Sequence, residues 1–420
     1  MNRLKRIGGS IVLAAALVVS SIGVSPAETP ALAAETTMTP EEFGTAMKAV
    51  GAKISEIAKS QTLKTTVSGS SAGINFEMTM DVDATSKVGH STMPSFVELF
   101  DEESAKDIFM GTKKLSSVDL YMDLDKNLLY VRPEGSQMNL VSAFPGASYL
   151  QGFGVGESEG NMFTSMFTPE VLKLFEGHVT ITANETVWNG VPSKKLSLKI
   201  NYAKGEIAAL ISEMMKAMPE GMSSMFGGNM GGSTGGFDFN SMIKDIACSG
   251  SVDFIVAAAD YTPLEMDFGM KMEGMKFGGM EIPMDMNAVI TFAVSSEKLA
   301  IPADRTTDLV LSPGAMAEKG GVSFVSSMDD KGGAFFMLFE VTNTKAKKIT
   351  IPASLTECGV TTKIDALAPG AFEKAKNLKT IIVKSPALKK MLKKIVKDKK
   401  LCKKYGLKYN KKKSKQVKIK

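Results

Sequence analysis

The chain has 420 residues, 44% of them apolar, with 29 methionines, 3 cysteines and 2 histidines. Cys248, Cys358 and Cys402 are widely spaced and form no CxxC, which excludes a disulfide scaffold and thioredoxin-like redox chemistry. The net charge of +5 hides a division: residues 341–420 carry about 24 lysines against about 4 acids, while residues 35–340 carry about 23 basic and about 40 acidic side chains. Such a body repels nucleic acid and anionic membrane, whereas the end of the chain attracts polyanions.

Arg3, Lys5 and Arg6 precede an apolar run from Ile11 to Val24, and the small residues Ala31, Ala33 and Ala34 follow. This three-part pattern predicts a secretory signal cut after Ala33, leaving a mature chain that starts near Glu35. The cut site has no cysteine, so no lipid anchor is expected there. No later stretch approaches 18 consecutive apolar residues, and no transmembrane segment is expected after cleavage. These features predict a secreted protein working at a bacterial cell surface.

Thr39-Pro40-Glu41-Glu42 reads as a capping box with proline at the first helical position. Phe43, Met47, Val50, Ile54 and Ile57 then share one face at 3.6-residue spacing. The period changes to two at Ile74, Phe76, Met78, Met80 and Val82, predicting a half-buried strand. Residues 98–110 read as a short helix or a loop. Val118 to Leu124 and Leu128 to Val131 flank Asp125-Lys126-Asn127 as the arms of a hairpin.

Thr168-Pro169-Glu170 opens another short helix. Strands at Val179 to Ala183 and Leu196 to Ile200 are separated by the turn Asn189-Gly190. Ile207, Leu210, Ile211, Met214, Met215 and Met218 recur at helical spacing, and residues 219–236 form a glycine- and methionine-rich loop. After a strand at Val252 to Val256, the clearest alternation of the chain follows. Leu264, Met266, Phe268, Met270 and Met272 share one parity, Met280, Ile282, Met284, Met286, Ala288, Ile290 and Phe292 do the same after Gly278-Gly279, and the two antiparallel strands are expected to share a face made largely of methionine. The fold class is α+β, an antiparallel sheet with one apolar face covered by amphipathic helices.

Catalytic constellations are absent from the pattern. His90 and His178 stand in no HExxH and beside no matched nucleophile and acid, and Gly152, Gly154 and Gly156 form a GxGxG with no strand leading into it. The expectation is a protein that is not an enzyme and holds no cofactor. Thioethers are unbranched and polarisable, so a wall of them suits a cavity whose occupant varies, such as acyl chains. The expected lining is Ile74, Phe76, Met78, Met80, Met122, Met266, Phe268, Met270, Met272, Met284 and Met286, with Ile54, Ile57, Ile211, Met214 and Met215 as a helical cover. A packed, merely adaptable core fits the same residues. Met222, Met225 and Met230 have spacing suited to a soft metal, but no histidine or cysteine joins them, so no metal is expected.

The leading helix, the hairpin Val118 to Val131, the step Thr186-Val187-Trp188-Asn189-Gly190-Val191 into Lys194 to Ile200, and a closing strand ending Leu299-Ala300-Ile301-Pro302 resemble the LolA and LppX group of exported lipid and lipoprotein carriers. The resemblance covers about residues 39–305 and implies a strongly curved antiparallel half-barrel with helices over the concave face and a hydrophobic cavity. Lys348 to Pro352, Thr362 to Phe372 and Asn377 to Val383 resemble one unit of the BspA-like leucine-rich repeats of bacterial surface proteins, an incomplete array that needs a neighbour to bury its faces. A Cys358 to Cys402 bridge is one possible pairing. The expected organisation is a signal peptide at 1–33, a body at 34–308, a repeat-like module at 309–388, and a lysine-rich tail at 389–420 holding one short helix and a free end. Lys389, Lys390, Lys393, Lys394, Lys411, Lys412 and Lys413 are the expected polyanion contacts.

The reading that follows is a secreted binder of a lipid or other amphiphile, held at the cell surface by its tail on an anionic wall polymer or a surface protein. The alternative is a solid-cored adhesion protein whose C-terminal module engages the partner.

Overall fold

The computed structural model describes residues 35–71, 74–93, 118–133, 138–146, 172, 177–206, 246–274, 276–277, 280–281, 284–329, 333–410 and 416–420. These fall into two compact units, the first drawn from the described residues within 35–93, 118–127 and 145–301, the second from those within 128–144 and 302–420.

The first unit is mostly β-sheet. Its strands in chain order are β1 (Thr36–Thr37), β2 (Thr62–Ser71), β3 (Ile74–Asp83), β4 (Val88–Met93), β5 (Val118–Asp123), β6 (Val179–Trp188), β7 (Val191–Tyr202), β8 (Ala247–Ala257), β9 (Pro263–Glu273) and β10 (Met284–Ser295). They lie in the order β1-β6-β7-β8-β9-β10-β2-β3-β4-β5, every pair antiparallel. The ten strands form one continuous antiparallel run. Gly69 marks a close approach between two of them. A Cβ there would stand 2.2 Å from the Asn287 carbonyl oxygen and 2.6 Å from Ala288 Cβ, so only glycine lets β2 and β10 approach this closely.

Helix α1 (Pro40–Ser60) starts on the predicted capping box: the Glu42 amide donates to Thr39 Oγ1 at 3.1 Å, and the Thr39 amide donates to Glu42 Oε2 at 2.8 Å. Phe43, Met47, Val50, Ile54 and Ile57 are all buried, and the helix packs on β2, β3 and β9. Burying five large side chains stabilises the helix on its sheet by on the order of 10 kcal/mol before ordering costs. The turn at Asn189-Gly190 has φ of 46° and 83°, the left-handed pair of a tight hairpin between β6 and β7.

Among the longer strands of the first unit, β2 and β4 escape the sequence patterns. They are rich in serine, threonine and glycine, so their apolar alternation is interrupted, yet both pair along their lengths. The expected single strand from Met280 to Phe292 divides into Met280–Glu281, paired with Lys276–Phe277, and β10. The closing strand, expected to end at Leu299 to Pro302, ends earlier, at Ser295. Beyond it the backbone is tied to the β3–β4 turn, where the Leu299 amide donates to Asp83 Oδ2 at 3.1 Å.

The second unit takes in the strands Leu128–Pro133 and Asn139–Ala143, expected in the body, because Leu309–Leu311 pairs in parallel with Asn139 to Val141. Arg132 ties the segments together, donating from Nη1 to Asp304 Oδ2 and from Nη2 to the Asp304 carbonyl, each at 2.6 Å. The boundary therefore falls at Pro302 rather than at 308. A five-stranded sheet contains Met316–Glu318, Ser323–Met328, Ala334–Glu340, Val360–Leu367 and Ser354–Glu357 in that order.

Lys348–Ile351, Thr380–Val383 and Lys418–Ile419 form a three-rung parallel ladder in which Ile349 stands opposite Ile381 and Ile381 opposite Ile419. The lysine-rich end is thus not one helix and a free tail. It holds α2 (Pro386–Ile395), α3 (Lys399–Tyr405) and the third rung, pinned by the Lys420 amide donating to the Ile381 carbonyl at 2.9 Å. Its apolar residues decide this: Leu388, Leu392, Ile395, Cys402, Leu407 and Val417 all join the unit's core. Gly406 ends α3 at φ 76°, where an added Cβ would meet the Glu373 amide nitrogen at 2.5 Å. The three cysteines are free, Cys402 being buried with its thiol donating to the Ile395 carbonyl at 3.2 Å, so the Cys358–Cys402 pairing does not occur.

Candidate binding face

Strand register places the expected lining residues on one face of the first unit's sheet, because directly opposed residues in a ladder point the same way. One row crosses seven strands: Ala183, Leu196, Phe254, Met266, Ile290, Val67 and Met78. Helix α1 covers this row, with the Phe43 and Phe254 rings 6.5 Å apart, edge to face. Met266 and Met78 are buried there, as are Met80 and Met122 on the neighbouring strands.

The next row, Ile181, Leu198, Val252, Phe268, Ala288, Gly69 and Phe76, is buried through Ala288 and opens at Phe76. Beyond it Met270 stands opposite Met286, and Met272 opposite Met284. Met286 is buried, while Met270 and Met272 are half-exposed. The face thus grades from dry under α1 to open at its far end. Ile54 and Ile57 lie on the buried side of α1. The side chains of Ile74 and Met284, and all of Ile211, Met214 and Met215, lie outside the described residues. So do residues 98–110 and the helix expected from Thr168 to about Phe175, apart from Leu172.

The opposite face of the sheet carries charge and is partly covered, Ser193, Ser197 and Ile255 being buried on it. Asp267 is buried there too, 7% exposed and directly across from Asp253. Lys195 Nζ lies 2.7 Å from Asp253 Oδ2, while Asp253 Oδ1 is buried without a hydrogen-bond partner among the described residues. Trp188 Nε1 donates to Glu265 Oε2 at 3.1 Å alongside. Burial and the charges of Glu265 and Asp253 push the Asp267 carboxyl up to about 7 against the pull of Lys195. Alternation could not reveal this, because a strand pattern reports which face a residue takes and not what lies over that face.

His90 stands in β4 and His178 in the turn before β6. His90 Nε2 lies 2.8 Å from Asp119 Oδ1 with its ring stacked on Tyr121 at 4.4 Å, and His178 stacks on Tyr202 at 4.4 Å. No group of three or more histidine, cysteine or acidic side chains among the described residues is placed to hold a metal ion. Two open depressions of about 400 and 380 Å³ occur in the second unit, the first lined by residues including Glu373, Leu378 and Leu407, the other by residues including Ser142, Pro313 and Cys358.

In the second unit Lys390, Lys393 and Lys394 are exposed and Lys389 half-exposed on α2, opposite its buried face of Leu388, Leu392 and Ile395. None of these four lysines makes an ion pair among the described residues. Lys411, Lys412 and Lys413 lie outside the described residues. No helix among the described residues is long and apolar enough to cross a membrane.

No family model and no curated protein matches this chain. Among solved structures, it is similar to an uncharacterized conserved protein from Thermus thermophilus, at 9% identity over 62% of this chain and 96% of that one, with a TM-score of 0.24. It is also similar to a DUF1329 family protein from Desulfovibrio piger, at 11% identity over 62% of this chain and 94% of that one, with a TM-score of 0.20. Likeness at this distance carries no activity with it.

Proposed function

We propose that the first unit is a non-enzymatic binder of a lipid or similar amphiphile, and that the lysine-rich second unit retains the exported protein at the cell surface on an anionic wall polymer or a surface protein. The observation that carries the binding role is the gradient along one face, from the dry row under α1 to the half-exposed Met270 and Met272. A packed core would close at both ends, whereas this face keeps an apolar, deformable edge beside a sealed one. Binding is by partition: each methylene moved from water onto that edge contributes about 0.8 kcal/mol. The lysines of α2 support retention, since exposed cations without ion-pair partners among the described residues remain free to neutralise a polyanion.

Displacement of a fluorescent fatty acid tests the reading. The full chain binds the probe with micromolar or tighter affinity, and Met270→Lys with Met272→Lys weakens it at least tenfold. No binding by the unaltered chain, or equal binding by the variant, overturns it.

A further inference from the structure

The register of β7 to β10 joins a cysteine to the methionine face in a way that spacing along the chain conceals. Cys248 stands directly opposite Met272, and Met272 in turn stands opposite Met284. Two residues along, Met270 stands opposite Gly250 on one side and Met286 on the other. Cys248 is 3% exposed, and its thiol makes no hydrogen bond among the described residues, in contrast to Cys402.

Directly opposed residues in an antiparallel pair hold their Cβ atoms about 5 Å apart, and diagonal ones about 7–8 Å, within reach of long side chains. A thiolate and a thioether at those positions can close on one ion with metal–sulfur bonds of about 2.3 Å. Gly250 puts no side chain of its own between Met270 and Cys248, its place on the face being closed by Ile200, and the half-exposed Met272 and Met270 give an ion a route in from solvent.

We propose that Cys248, Met272 and Met270 form a site for a soft monovalent cation, Cu(I) or Ag(I), at the open end of the methionine face. Sulfur ligands of this kind select soft cations over calcium or magnesium. Binding replaces the thiol proton: the S–H bond breaks, the sulfur–metal bond forms, and one proton passes to solvent with no change of oxidation state. Burial pushes the Cys248 thiol up, so the free site is protonated near neutrality and its apparent affinity rises about tenfold per pH unit. The site shares Met270 and Met272 with the proposed amphiphile edge, but it does not require that an amphiphile binds there.

Titration of the full chain with Ag(I) in chloride-free buffer, followed by mass spectrometry and by release of protons, tests it. The expected result is one tightly bound ion and one proton released, with Cys248→Ser weakening binding at least a hundredfold. The volume-conserving Met272→Leu, which keeps the apolar packing, weakens it about tenfold. No stoichiometric binding, or binding that both variants leave unchanged, overturns the site. Fatty-acid displacement on the same samples separates the two proposals, because a chain that binds the fatty acid and not Ag(I) sinks this one alone.

Discussion

Replacing Asp267 by asparagine exchanges a buried carboxyl for a neutral group of the same shape, and the consequence depends on pH with a definite sign. The folded chain holds the Asp267 proton up to about 7, against 3.8 for an ordinary aspartate. A raised carboxyl is an energetic burden once ionised: its stability contribution is intact below 3.8 and is lost as pH rises through about 7. Roughly 3 units at 1.36 kcal/mol each set the upper limit near 4 kcal/mol, and relaxation of Lys195 toward the pair reduces it. Asp267→Asn is therefore expected to stabilise the protein by about 2–4 kcal/mol at pH 8 and by almost nothing at pH 4. Urea unfolding followed by fluorescence is a direct assay, because the single tryptophan, Trp188, donates to Glu265 beside the pair. A variant no more stable than the wild type at pH 8, or destabilised alike at both pH values, refutes the reasoning.

Asp83 behaves in the opposite sense: burial alone would raise its carboxyl, but hydrogen bonds from Thr85, Ser86 and the Leu299 amide hold it down to about 2. Its contribution is present above the ordinary carboxylate pKa and lost as pH falls through about 2, so Asp83→Ala costs about 3 kcal/mol at pH 7, measured by the same unfolding assay. A loss below about 1 kcal/mol contradicts the assignment of Asp83 as the tie between the β3–β4 turn and residues 297–299. On α2, Lys393→Glu with Lys394→Glu leaves the melting temperature within a few degrees and lowers the salt concentration at which the protein leaves an immobilised anionic polymer. An unchanged elution point removes α2 from the retaining surface.

The parts of the fold legible in the sequence are those where one periodicity dominates. The α1 capping box and its face from Phe43 to Ile57, the Asn189-Gly190 turn, and the strand parities of Met266 to Met272 are all of this kind. β2 and β4 were not legible, because threonine, serine and glycine hold places on the apolar face: Thr65 is buried and donates to the Met80 carbonyl, and Ser91 does the same toward Thr79. The folded end of the chain was hidden by its charge. A lysine count records the exposed side of α2 and overlooks that Leu388, Leu392, Ile395 and Cys402 supply a complete dry side.

The same limit governs the site. Which methionines share a face follows from alternation within each strand, but which of them meet a cysteine depends on register between strands. Met222, Met225 and Met230 are close together along the chain, whereas Cys248 and Met272 are opposed only once β8 and β9 pair.

Native mass spectrometry of the full chain, purified gently from its native cells, tests the central claim most directly. The account predicts one co-purifying amphiphile per chain, lost on delipidation, restored by added fatty acid, and absent from the Met270→Lys, Met272→Lys variant. A chain that carries no amphiphile and takes up none, while folded as its Trp188 fluorescence shows, contradicts it.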